Sequence, residues 1–115
     1  MYRFSYAEVV EDAPKECRQR EYEVFEHAIG LLKAAKGHSS RSCEMSEALE
    51  FLQNLWTALA QDLVHPDNDL PDNLKAQLIS IGFWVMGETG RIACGEHNDV
   101  TALIDINTMI QEGLK

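Results

Sequence analysis

The stretch Trp56–Trp84, WTALAQDLVHPDNDLPDNLKAQLISIGFW, decides the fold. Its first part closes a run of apolar residues that starts upstream: Met45, Ala48, Leu49, Leu52, Leu55, Trp56, Leu59 and Leu63. Steps of three and four residues put all of them on one stripe of a helix. Glu47, Glu50, Gln53, Asn54 and Gln61 fall on the opposite face, so the spacing predicts an amphipathic helix over about 43–64. His65-Pro66 ends it, because a residue before proline is pushed out of helical geometry. Asp67-Asn68-Asp69 is turn chemistry, with short polar side chains that bond to local backbone. Pro71 then fits the first turn of another helix, with Asp72 near its positive end.

That next helix is unusually apolar. Leu74, Leu78, Ile81, Val85 and Ile92 give one face, and Ile79, Phe83, Trp84 and Met86 fill much of the rest. A helix apolar nearly all round is expected to be buried between others. Gly82, Gly87 and Gly90 each weaken it by roughly 1 kcal/mol relative to alanine. Two readings of them stand: close approach of neighbouring helices, or a kink or a site where a partner's backbone lies.

Upstream, Tyr22, Phe25, Ala28, Ile29, Leu32 and Ala35 form a second helical stripe, over about 13–36. Asp12 and Pro14 suit its start and Gly37 its stop. Ser40 or Ser42 can cap the helix that follows. Downstream, Gly95 to Asn98 reads as a loop, and Asp99 caps a last helix carrying Val100, Leu103, Ile104, Ile106, Met109, Ile110 and Leu114. No segment alternates with period two. The fold class is therefore all-α: an up-down bundle of about four main helices, preceded by an N-terminal arm or short helix. Residues 1–115 are read as one domain.

Bulk chemistry narrows the function. The net charge of −9 (19 acidic, 10 basic residues) and the scattered cations disfavour direct nucleic-acid binding. Three cysteines, an odd and widely spaced set, fit a reducing compartment with buried or incidental thiols. The start, MYRFSYAEVVEDAP, lacks an apolar core of signal-peptide type, and the longest apolar strip, Leu78 to Met86, is about half a membrane span. A cytoplasmic location without membrane insertion is expected.

Reactive groups do not assemble in the sequence. His27, His38, His65 and His97 stand apart, with no helical metal-ligand spacing to another His or Cys. Asp67 and Asp69 resemble part of a calcium loop, but the glycine and distal glutamate of such a loop are missing. Cys94 lies near a helix end, where the partial negative charge disfavours a thiolate. The serines 39, 40 and 42 have no nucleophile-elbow context, and Gly87-x-x-Gly90 has neither a strand before it nor a lysine after it. No catalytic residue, metal or cofactor is expected, and the chain is read as a non-enzyme.

Taken together, SYAEV at 5–9, the proline-led first helix with Arg18 and Arg20-Glu21, LWTALAQDLVHPDNDLP, LKAQLISIGFWV and the closing IDINTMIQEGLK resemble the FlaF family of bacterial flagellar biosynthesis regulators. The resemblance covers essentially the whole chain. It implies a small cytoplasmic helical protein needed for flagellin production. It also implies chaperone-like binding of flagellin, alongside FlbT, the separate translational regulator of flagellin messenger RNA. Two other classes stay open: a direct post-transcriptional regulator of flagellin mRNA, which the acidic balance disfavours, and a structural adaptor that self-associates weakly.

If flagellin is the partner, an apolar groove on or near helices two and three suits an amphipathic helix. Trp56, Phe83 and Trp84 are its candidate aromatic anchors, with Asp62 and Leu70 on the corner that shapes its edge. Trp56 also reads as plain core, since it lies on the helix-two stripe. Tyr2, Phe4 and Tyr6 on the arm either dock on the chain's own core or mark a contact surface, and they could fill the groove when flagellin is absent.

Overall fold

A computed structural model describes residues 14–113. The arm aromatics Tyr2, Phe4 and Tyr6, together with Asp12 and Leu114, lie outside the described residues. The described chain forms α1 (Pro14–Ala35), α2 (Cys43–Leu63), α3 (Asp72–Ala93) and α4 (Thr101–Glu112), with no strand among the described residues.

Local chemistry accounts for most helix ends. α1 stops before Gly37, whose φ of 86° is a left-handed conformation that glycine takes without a steric cost. Ser42 is the N-cap of α2: its hydroxyl accepts the Met45 amide at 3.1 Å. Pro71 sits one position earlier than the first turn, as the N-cap residue of α3 with φ −57°. It contributes pre-set backbone rather than a side-chain cap.

At the head of α4, Asp99 does the capping expected of it from two residues before the helix, its Oδ1 accepting the Thr101 amide at 3.0 Å. The Thr101 hydroxyl and amide together hold this carboxyl below its ordinary value of 3.8. A carboxyl whose folded value is depressed stabilises the fold above its unfolded value and loses that contribution as pH falls through the folded one. Acid below about pH 4 should therefore weaken the α4 start, and Asp99→Asn should flatten that part of the melting temperature against pH. Thermal melts of both proteins from about pH 6 to 2.5 check this; parallel curves would refute it.

Interhelical contacts fix the topology. Phe25 meets Trp56 edge-on at 6.1 Å, and His27 meets Phe51 at 4.7 Å, so α1 and α2 run antiparallel. Gln53 Nε2 donates to Thr89 Oγ1 at 3.1 Å while Gly82 lies on Trp56, so α2 and α3 are antiparallel too. Gln111 of α4 donates to Glu26 of α1, and Asn98 Nδ2 donates to the His38 carbonyl at 2.7 Å, which sets α4 antiparallel to α1. The order is up-down-up-down, as the short connections predict. Backbones pack closely between α1 and α2, α2 and α3, and α1 and α4.

One core joins them, built from Phe25, Ala28, Leu32, Met45, Leu52, Trp56, Val85, Ile92 and Leu103 among others. Those residues are the apolar stripes of α1 and α2, met by a narrower line from α3 and α4. Fully burying each large side chain is worth roughly 1.5–3 kcal/mol. α3 departs from expectation. Of its length only Gly82, Val85, Thr89 and Ile92 are buried, because α3 packs closely along α2 alone and turns its other apolar side outward. Among the described residues no helix is long and apolar enough to cross a membrane.

A candidate docking groove between α2 and α3

An apolar groove of about 240 Å³ runs along the seam of α2 and α3. Thr57, Ala60 and Gln61 form one wall, and Ile79, Phe83 and Met86 the other, with Trp56, Leu63 and Gly82 beneath. Each wall follows from helical spacing, since side chains three or four apart share a face. Its depth follows from Gly82. A Cβ there would lie 3.3 Å from Cε3 of Trp56, tighter than ordinary van der Waals contact. A side chain at this position would need the indole or α3 to give by a few tenths of an ångström, which supports the close-approach reading for this residue. An added Cβ at Gly90 would meet nothing within 4 Å, and one at Gly87 would meet only the Arg91 guanidinium. Those two positions are not explained by packing among the described residues.

The proposed anchor residues are placed differently from one another. Trp56 is 2% exposed and forms the floor; its Nε1 donates to Asn107 Oδ1 of α4 at 2.9 Å. Phe83, 75% exposed, stands on the rim. Trp84 is 40% exposed but points away from the groove lining, one helical step round from Phe83. Asp62 is buried at the end of α2 and Leu70 is half-buried in the following loop; neither lines the groove.

The corner between them is organised by Asn68, a buried residue that sequence reading took only as generic turn chemistry. Its Nδ2 donates to the Asp62 carbonyl at 3.1 Å, its Oδ1 accepts the Leu70 amide at 3.0 Å, and its own carbonyl accepts Lys75 Nζ at 2.6 Å. One side chain thereby closes the loop and fixes where α3 begins. Its sequence signal was there in Asn flanked by two Asp, a favoured setting for local side-chain-to-backbone bonding.

Polar groups elsewhere form paired structure. Glu88 Oε1 accepts Arg91 Nε and Nη2 at 2.9 and 2.7 Å, and its Oε2 lies 3.0 Å from His97 Nε2. His97 Nδ1 accepts the Asp99 amide at 3.0 Å, so its Nε2 carries the proton and donates to Glu88. Cys43 and Cys94 are free and exposed rather than buried. A second, more open depression between α1 and α2 is lined by Arg20, Glu23, Val24, His27 and Phe51. It mixes charged with apolar side chains. Among the described residues no three His, Cys, Asp or Glu gather in a way that could hold a metal ion.

The groove thus offers shape and apolar contact and no cluster of reactive groups among the described residues. The chain matches the family described as flagellar protein FlaF over residues 2–114. No curated protein and no solved structure matches it.

Proposed function

Since the chain belongs to the FlaF family of flagellar proteins, we propose that it is a non-enzymatic, cytoplasmic factor that binds flagellin as a chaperone and promotes its synthesis and secretion together with FlbT. One observation carries the reading beyond the family: an apolar groove that no described element covers, with an aromatic rim, Phe83, left 75% exposed. Exposed apolar surface of this kind costs solubility unless a partner uses it. Flagellin has long amphipathic terminal helices that stay unpaired until the subunit polymerises. A groove between two helices accepts such a segment through anchors at i, i+3, i+4 and i+7.

The net charge of −9 favours this protein-binding role over direct contact with flagellin mRNA. The test is capture of purified flagellin, full-length and truncated at either end, by the purified chain. Full-length flagellin should be retained, and one of the two truncations should abolish retention. Failure of well-folded protein to retain any form would sink the proposal.

A further inference from the structure

The charge pattern around the groove specifies the kind of segment that fits it. Residues 51–61 of α2 carry no charged side chain, nor do residues 76–87 of α3. In a chain with 29 charged residues, two such tracts would be unremarkable if they lay apart. They do not lie apart. The antiparallel contacts of Trp56 with Gly82 and of Gln53 with Thr89 put the two tracts side by side, in register across the seam. The result is a charge-free band about 16 Å long, roughly three helical turns.

Both ends of the band are acidic. Glu50, seven and eleven residues from Thr57 and Gln61, lies on the groove side at one end; Asp72, seven and eleven from Ile79 and Phe83, does so at the other. Both are exposed. Of the neighbouring cations, Arg91 is paired with Glu88, whereas Lys75 keeps its charge with Nζ tied to the Asn68 carbonyl, and at that end it is outnumbered by Asp67, Asp69 and Asp72. Asp67 and Asp69, exposed in the adjoining loop, add to the acidic side.

We propose that the α2–α3 seam takes an amphipathic helix with an apolar face of about three turns and lysine or arginine at each end. This inference deepens the flagellin reading and rests on it for the use of the site. An apolar centre avoids desolvating any charge against the band. Terminal cations meet Glu50 and Asp72 at the rim, where such pairs stay hydrated and govern approach and orientation. A second copy of this chain is a poor occupant: it would bring carboxylates against carboxylates at both ends.

Two synthetic helical peptides of about 18 residues serve as probes, with the same leucine and alanine face. One is flanked by lysines and the other by glutamates. Titration of the isotopically labelled chain should show the lysine-flanked peptide binding at least about ten-fold more tightly at low salt. Its advantage should shrink as salt rises. Amide shifts should map to Thr57–Gln61 and Ile79–Met86. The Glu50→Gln/Asp72→Asn pair should erase the preference without altering the fold, and Phe83→Glu should abolish binding.

Equal binding of the two peptides, no binding, or shifts centred on Val24, His27 and Phe51 would overturn the inference. Retention of flagellin by Phe83→Glu would overturn it too, while leaving flagellin binding itself intact. Peptide binding as described, with flagellin ignored, would support the seam chemistry and discard flagellin as its user.

Discussion

Replacing Trp56 by alanine should destabilise the chain by about 3–5 kcal/mol, the range for removing a large buried aromatic. The substitution strips three separate supports at once. It deletes the side chain that Phe25 packs against edge-on, the surface on which Gly82 rests, and the indole N–H that donates to Asn107 Oδ1. Asn107 is fully buried, so its orphaned carbonyl adds a desolvation penalty of about 1–3 kcal/mol within that total. For a domain of ordinary stability, about 5–15 kcal/mol, the loss is severe. Urea denaturation followed by circular dichroism reads it directly. Trp56→Phe, which keeps a smaller aromatic ring but not the N–H, should fall between parent and Trp56→Ala. A midpoint for Trp56→Ala within error of the parent would mean that the indole is not core.

Phe83→Ala should give the opposite pair of results. With three quarters of its surface in water, Phe83 contributes little to folding, and stability should change by no more than about 0.5 kcal/mol. Flagellin binding should weaken by about 30-fold or more, the size expected for an aromatic anchor worth about 2 kcal/mol at the centre of an interface. Trp84→Ala is the control within the same helix turn. Its side chain is outside the groove lining, so its loss should matter less to binding than that of Phe83. Isothermal titration with the three proteins, each first shown to melt as the parent does, decides the matter. Unchanged affinity in Phe83→Ala would remove this residue from the interface.

Much of this architecture is legible in the sequence because the responsible physics is local. The α1 and α2 stripes are complete in the linear spacing of Phe25 to Ala35 and Met45 to Leu63, and every member of the α2 stripe is buried. Ser42 and Gly37 act where short-range capping rules place them, and Asp99 bonds the Thr101 amide from one residue before the N-cap position, which Val100 holds. Pro71 missed its position by one residue, since a fixed φ serves an N-cap residue as well as a first turn.

What was not legible depends on partners far along the chain. Asn107 and Gln111 look like the polar face of α4, yet both are buried, because Trp56 and Glu26 supply partners 51 and 85 residues away. Glu21, on α1, is buried as well. The outward turn of α3 was hidden for a related reason. Its composition says only that it is apolar, and nothing local says how many neighbours will cover it. The groove could be sited near helices two and three from their aromatics, but the roles of those aromatics depend on three-dimensional facing. Trp56 became floor, Phe83 rim, and Trp84 neither.

The Trp56 indole has one face toward the groove and its N–H committed to α4. A floor built this way is not free to vary: any substitution that reshapes the bottom of the groove also disturbs Phe25, Gly82 and Asn107. The rim carries no such obligation, since Phe83 and Met86 are exposed and can change with little cost to the core. Partner preference and foldability are thus assigned to different layers of the same groove. A lineage could retune which helix it accepts through a few rim exchanges, while the tryptophan beneath stays under the separate demand of holding the bundle together.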